Sequence, residues 1–208
     1  MNEKFFDLKK EKQDRIMSAA MEMFAKSGYT HASTDDMVKR AHISKGLLFH
    51  YFGSKLGLYA FLYDYCVRFM QLEFSRVIPE DENDFFRLQD LMCAAWFDAV
   101  RQYPYIRLFI LSGEHETDAE ALQEIREKRE TYRAMWNGLS ERYGTLTVNG
   151  GIPAGNVEAM LWYTLDGMME DMDKENEGWT ETYVNNARTV LEMVRRMAVL
   201  KKEDVRNE

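Results

Sequence analysis

The chain has 208 residues, 46% of them apolar and 30% charged. That is enough for one large domain or two small ones with a core of real size, and too apolar for a disordered chain. The net charge of −8 argues weakly against nucleic acid as a partner until it is divided: residues 1–60 hold ten Lys and Arg against seven Asp and Glu, and the remainder seventeen against twenty-eight, so a mildly basic N-terminal part precedes an acidic one.

The opening MNEKFFDLKKEKQD mixes acids with bases and has no apolar h-region, so it does not read as a signal peptide. No run of about 18 apolar residues occurs, so no membrane contact is expected. The two cysteines, Cys66 and Cys93, fall inside helical apolar patterns and read as reduced core residues of a cytoplasmic protein.

From residues 8 to 27, Ile16, Ala19, Ala20, Met23 and Phe24 recur at three- and four-residue spacing, the mark of an amphipathic helix, and Gly28 stands where a C-cap belongs. Ser33 and Thr34, followed by Asp35 and Asp36, start a second helix with Met37, Val38 and Ala41 on its inner face. After a tight connection at His42 and Ile43, Ser44 caps a third helix reaching Phe52, and Gly53 with Ser54 stops it and opens a fourth. Two short helices joined this closely, packed on a third, make a helix-turn-helix.

The fourth helix is expected over residues 54–77 and the fifth over 84–102. A short apolar segment follows at 105–111, then a long helix over 118–142 with Thr117 as its cap. Residues 144–155, GTLTVNGGIPAG, read as a loop. Helices at 156–174 and 180–201 close the chain. No repeat and no sustained β alternation is present, so the expected fold is all-α.

The stretch HISKGLLFHYFGSK carries the functional signal. A helix buries one stripe, so Phe49, His50, Tyr51 and Phe52 cannot all face one core. Leu48 and Phe52 share the inner face with Ile43, which leaves Lys45, Gly46, Leu47, Phe49, His50 and Tyr51 around the other side. Such a face suits a phosphate backbone and base edges. The alternative, in which Phe49 or Tyr51 packs on the first helix, stays open.

The segment from Arg15 to Leu58 resembles the DNA-binding domain of the TetR family of bacterial transcriptional regulators. The resemblance rests on Arg15, Ile16, Ala19, Ala20, Phe24, Gly28, Tyr29, Ser33, Thr34, Ala41, the run SKGLLFHYFGSK and Leu58. It implies a helix-turn-helix domain over residues 1–53 and a larger helical domain over 54–208 that binds a small molecule and dimerises. By the same resemblance Lys45, Gly46 and Leu47 face base edges and Thr34, His50, Tyr51 and Lys55 hold phosphates, with Ser33 and Ser44 beside them. Phe49 stands where the family usually has tyrosine, which removes one phosphate hydrogen bond, and His42 stands where a turn glycine is usual. His is among the residues that tolerate a positive φ.

In the last two helices, Val157, Leu161, Leu165 and Met168, and then Tyr183, Ala187, Val190, Val194 and Met197, recur at helical spacing. Paired with a second copy they would form the four-helix bundle through which the family dimerises, although they could instead close the monomer's core. Tyr63, Met92, Trp96, Phe97, Phe109, Tyr132, Trp136 and Trp162 are the candidate walls of an effector pocket, set against the plain alternative that they are core. The acidic surplus, with Asp98, Asp166, Glu170 and Asp171, would suit a cationic lipophile or simply be solvated surface.

No catalytic constellation, metal site or cofactor motif is legible. DMDKENEGWTET lacks the glycine and glutamate of a calcium loop, and His115 has no second histidine near it. The expected function is thus a ligand-responsive regulator, a repressor binding a palindromic double-stranded DNA operator as a homodimer and released by a small hydrophobic effector, and not an enzyme. Two alternatives remain: a DNA-binding regulator without an effector, and an all-α small-molecule-binding protein or enzyme.

Overall fold

In a computed structural model the chain is all-α, with nine α-helices among the described residues, which are 3–144, 146–148 and 151–199. A short 3₁₀ turn, Glu3–Phe5, precedes α1 (Lys10–His31), α2 (Thr34–Ala41), α3 (Lys45–Phe52), α4 (Lys55–Val77), α5 (Phe85–Gln102), α6 (Ile106–Glu114), α7 (Ala119–Ser140), α8 (Ala154–Asp171) and α9 (Trp179–Val199). The expected end of the last helix at residue 201 lies outside the described residues.

The expected helix signals act locally. Gly28 has φ 65° and kinks α1, and Ala32 N–H closes the turn on its carbonyl at 3.2 Å. Ser33 Oγ accepts the Asp36 N–H and Ser44 Oγ the Leu47 N–H, each at 3.2 Å, so the hydroxyls satisfy free donors at the starts of α2 and α3. His42 closes α2 in the left-handed region at φ 51°.

Three expectations are corrected. Within the segment 105–111, Tyr105 is the N-cap of a helix, α6, that runs from Ile106 on to Glu114. The cap of α7 is Asp118, whose Oδ1 accepts the Ala121 N–H at 3.0 Å; Thr117 is not the cap, and its own N–H goes to Glu116 Oε1 at 2.8 Å. Inside the expected loop, β1 (Thr147–Val148) and β2 (Ile152–Pro153) pair antiparallel, too short a hairpin to leave an alternating pattern.

The chain forms two compact units. The first runs to Leu72 and takes in Gln102–Ala134; the second comprises Glu73–Arg101 and the chain from Met135. The unit that holds the helix-turn-helix therefore extends past residue 53, because α6 packs on α1: Phe109 lies 5.9 Å from Phe24, 5.6 Å from Tyr59 and 5.9 Å from Tyr63. In the second unit α8 packs on α9, and α5 is fastened to both: the Trp162 Nε1–H donates to Gln89 at 2.9 Å, and Arg195 pairs with Asp90. Cys66 and Cys93 are buried and not joined in a disulfide.

Gly57 is fixed by space. A Cβ on Gly57 would stand 2.2 Å from the Phe52 carbonyl oxygen, so the first turn of α4 passes directly against the end of α3. Gly57→Ala is therefore expected to destabilise the protein by about 1–3 kcal/mol, as overpacking does. The check is a urea midpoint that falls with its m-value unchanged.

Candidate nucleic-acid interface

Helix α3 has only eight residues, too few to be stable alone, so its neighbours fix its orientation. Leu48, Tyr51 and Phe52 are buried, whereas Lys45, Gly46 and His50 are exposed and Leu47 and Phe49 are half-buried. An outward face made of Lys45, Gly46, Leu47, Phe49 and His50 is thus present, much as the sequence implied.

Tyr51 departs from that expectation. It is only 8% exposed, with its ring edge-on to Phe5 at a centroid distance of 5.7 Å. Leu48 and Tyr51 are three residues apart and share the inner stripe, and Phe5 covers them from the 3₁₀ turn. The ring therefore does not stand on the outward face where the helical period was expected to leave it, and the phosphate role stays what the resemblance implies. Phe5 was missed because it lies before the first periodic segment. The one signal it left was the unusual Phe5-Phe6 pair in an otherwise polar opening.

The two lysines are positioned differently. Lys45 Nζ bonds both carboxylate oxygens of Asp35, at 2.9 and 3.0 Å, on the exposed start of α2. Such a pair contributes about 0–1 kcal/mol, so a phosphate or guanine edge can replace the carboxylate at little cost. Lys55 Nζ donates to the carbonyls of Thr30 at 3.0 Å and Ala32 at 3.3 Å and sits 4.7 Å from the centre of the Tyr29 ring. It clasps the residues after the α1 kink to the start of α4, with one of its three donors left for an outside acceptor. The Ser33 and Ser44 hydroxyls are engaged as caps, and Thr34 is half-buried in the first turn of α2.

The α6–α7 connection reaches the same kink. Glu116 Oε2 accepts the Tyr29 N–H at 2.9 Å, while Oε1 accepts the Thr117 and Asp118 N–H groups at 2.8 and 2.9 Å. Beside it Glu114 accepts from Arg133 Nε at 2.8 Å and from the Tyr63 hydroxyl at 3.3 Å. Burial, with Glu114 adding to it, pushes the Tyr63 hydroxyl far above the ordinary tyrosine range. Sequence patterning shows neither carboxylate's role, since both sit in an acidic, polar stretch.

The candidate pocket walls divide between the units. Tyr63, Phe109 and Tyr132 are buried in the first; Met92, Trp96, Phe97 and Trp162 are buried in the second, with Trp136 half-buried. In the second unit the rings pack on one another: Trp136 lies 4.9 Å from Trp162 and 6.0 Å from Phe74, and Phe74 lies 6.3 Å from Trp96. Behind them Gln89 bonds Trp162, and Glu158 accepts from Ser140 and Tyr143, a polar group that the aromatic reading passed over. A cleft of about 920 Å³ opens instead in the first unit, among Arg15, Glu22, Lys39, Arg40, His42 and Tyr105, and none of the eight candidates lines it. Among the described residues no three His, Cys, Asp or Glu side chains converge as a metal site requires.

The residues of the expected dimer stripe differ in burial within the chain. Val157, Leu161, Leu165, Tyr183, Ala187 and Val194 are buried within the chain, where α8 and α9 face α5 and each other; Met168 and Val190 are half-buried, and Met197 is 65% exposed. The apolar residues left outside are Met160 at 47%, Tyr163 at 79% and Met193 at 56%, with Met197. Both helices therefore carry two apolar faces, and the sequence stripe singled out mainly the inner one.

Residues 16–61 match the family model of bacterial regulatory proteins, tetR family. No curated protein matches the chain. Among solved structures, a TetR family transcriptional regulator from Chloroflexus aurantiacus J-10-FL has a TM-score of 0.59 at 18% identity, covering 94% of this chain and 96% of that one. A TetR family regulator from Agrobacterium tumefaciens gives 0.58 at 18% identity over 88% and 97%, and the fatty acid degradation regulator FadR from Bacillus halodurans 0.54 at 17% over 87% and 96%. At these identities the structures speak for the fold, and the family model speaks for the segment that carries the capped helix-turn-helix and its outward lysine. On that evidence residues 16–61 are similar to the tetR family of bacterial regulatory proteins, and the fold of the chain is similar to that of solved TetR family regulators.

Proposed function

We propose that the protein is a ligand-responsive repressor that binds a palindromic operator as a homodimer and is released by a small hydrophobic effector. The observation that carries the DNA-reading part is the outward face of α3, where Lys45, Leu47, Phe49 and His50 surround a glycine whose missing Cβ would meet nothing within 4 Å. Open space around Gly46 lets the backbone approach a base edge closely.

Dimerisation is supported by the outer stripe of α8 and α9. Met160, Tyr163 and Gly167 follow at three and seven residues on one helix, and Val190, Met193 and Met197 do so on the other, a spacing that aligns each set on one face. A two-fold pairing of this stripe would carry two recognition helices to successive turns of DNA. Effector binding would then alter their separation, and about 3 kcal/mol of coupling gives more than hundredfold release.

A second reading, a regulator without an effector, is favoured by the mutual packing of Trp96, Phe74, Trp136 and Trp162. Screening small hydrophobic compounds against the protein–DNA complex separates the two, since only the first reading expects release.

The primary test is fluorescence anisotropy with DNA from upstream of the gene and with random duplex, at two salt concentrations. Salt-dependent binding that outcompetes random DNA is expected; equal affinity for both would count against a specific operator there. Lys45→Ala should cost about 1–3 kcal/mol at particular base pairs. Lys55→Ala should weaken all duplexes alike and lower the salt slope by about one unit; an unchanged slope would assign Lys55 to its carbonyl clasp alone. Tyr163→Glu combined with Met193→Glu should convert a dimer to a monomer by sedimentation equilibrium while the unfolding midpoint of the chain is largely retained.

A further inference from the structure

We infer that Phe5, in the 3₁₀ turn ahead of α1, is a positioning residue for the recognition helix, an inference that rests on the DNA-binding reading. Phe5 is fully buried although it stands almost at the start of the chain. Its ring lies 5.0 Å from Phe52, 5.7 Å from Tyr51 and 5.6 Å from Phe61. The first two are the last residues of α3; the third is on α4, 5.2 Å from Phe52. Phe5 thus closes an aromatic cluster that joins the inner side of α3 to α4.

The turn is tied in place rather than draped. Leu8 N–H donates to the Phe5 carbonyl at 3.2 Å, and the Gln13 side-chain amide, reaching back from α1, donates to the carbonyls of Phe6 at 3.0 Å and Leu8 at 2.7 Å. Gln13 does this at a helix start where Lys9 supplies no side-chain cap. The backbone of the turn is therefore fixed to α1 while its ring is fixed to α3, and α3 is held between the two.

The consequence for DNA reading is geometric. The two helical turns of α3 rest on Leu48, Tyr51 and Phe52, and the Phe5 ring packs against the last two of these. Without the Phe5 ring a void opens beneath Tyr51, and α3 is held less firmly about its axis although its corner with α4 remains. Rolling shifts Lys45 and His50 against base edges, where hydrogen bonds tolerate little displacement. Contacts to phosphate, made by long side chains in a diffuse field, tolerate more. Sequence preference is lost first and general DNA affinity last.

The experiment compares wild-type, Phe5→Ala and Phe5→Leu proteins on two labelled duplexes, one selected from a random library by the wild-type protein and one of scrambled sequence. Amide hydrogen exchange is followed in parallel. Phe5→Ala should lower the ratio of the two affinities by roughly tenfold or more, leave the salt slope on the scrambled duplex unchanged, and speed exchange at residues 48–53 but not in α8 or α9. Phe5→Leu, which refills most of the void, should recover most of the ratio. Equal loss on both duplexes would mean ordinary destabilisation and overturn the inference, as would an unchanged ratio or unchanged exchange at 48–53. A wild-type protein that selects no preferred duplex overturns the regulator reading itself and the inference with it.

Discussion

The close passage of α4 over the end of α3 is the constraint on which the rest of the first unit depends. Gly53, at φ 76°, ends α3, and three residues into α4 the Gly57 backbone lies against the Phe52 carbonyl. A side chain at Gly57 would push the helices apart. With it absent, Phe52 and Phe61 come within 5.2 Å, and the cluster that orients α3 can form. A two-turn helix needs an orientation set from outside itself, and here a corner with no room for a methyl group supplies it.

Around that corner, charged groups fasten backbone rather than each other. Lys55 donates to two carbonyls beyond the α1 kink, and Glu116 accepts the Tyr29 N–H beside them together with two N–H groups at the start of α7. Backbone groups left free by a kink or a helix end must find partners, and charged side chains make the stronger bonds. The end of α1, the start of α4 and the α6–α7 connection are joined in this way within one unit. A shift in α6 or α7 has a short physical route to the start of α4, which lies against the end of α3.

The second unit is organised by α8 and α9, each apolar on two sides. The inner sides bury Leu161, Leu165, Tyr183 and Ala187, while the outer sides leave Met160, Tyr163, Met193 and Met197 in solvent. Scattered exposed apolar residues are ordinary, but four large ones at helical spacing on adjacent helices suit a partner surface. Methionine, flexible and polarisable, fits such a surface without demanding one shape.

By itself the sequence determined the all-α class, the helix starts at Ser33 and Ser44, the breaks at Gly28 and Gly53 and the outward set Lys45, Gly46 and His50. All of these follow from local chemistry: a hydroxyl that caps, a residue that tolerates positive φ, or the helical period. Only the tertiary structure decided which way Tyr51 turned, because the ring that covers it is Phe5, distant in sequence and outside any periodic segment. It also decided that Asp118 rather than Thr117 caps α7, that Lys55 clasps carbonyls, and which apolar face of α8 and α9 the chain buries for itself. Periodicity shows that a face is apolar. Which apolar face another helix covers depends on contacts between residues far apart along the chain, and local pattern carries no record of them.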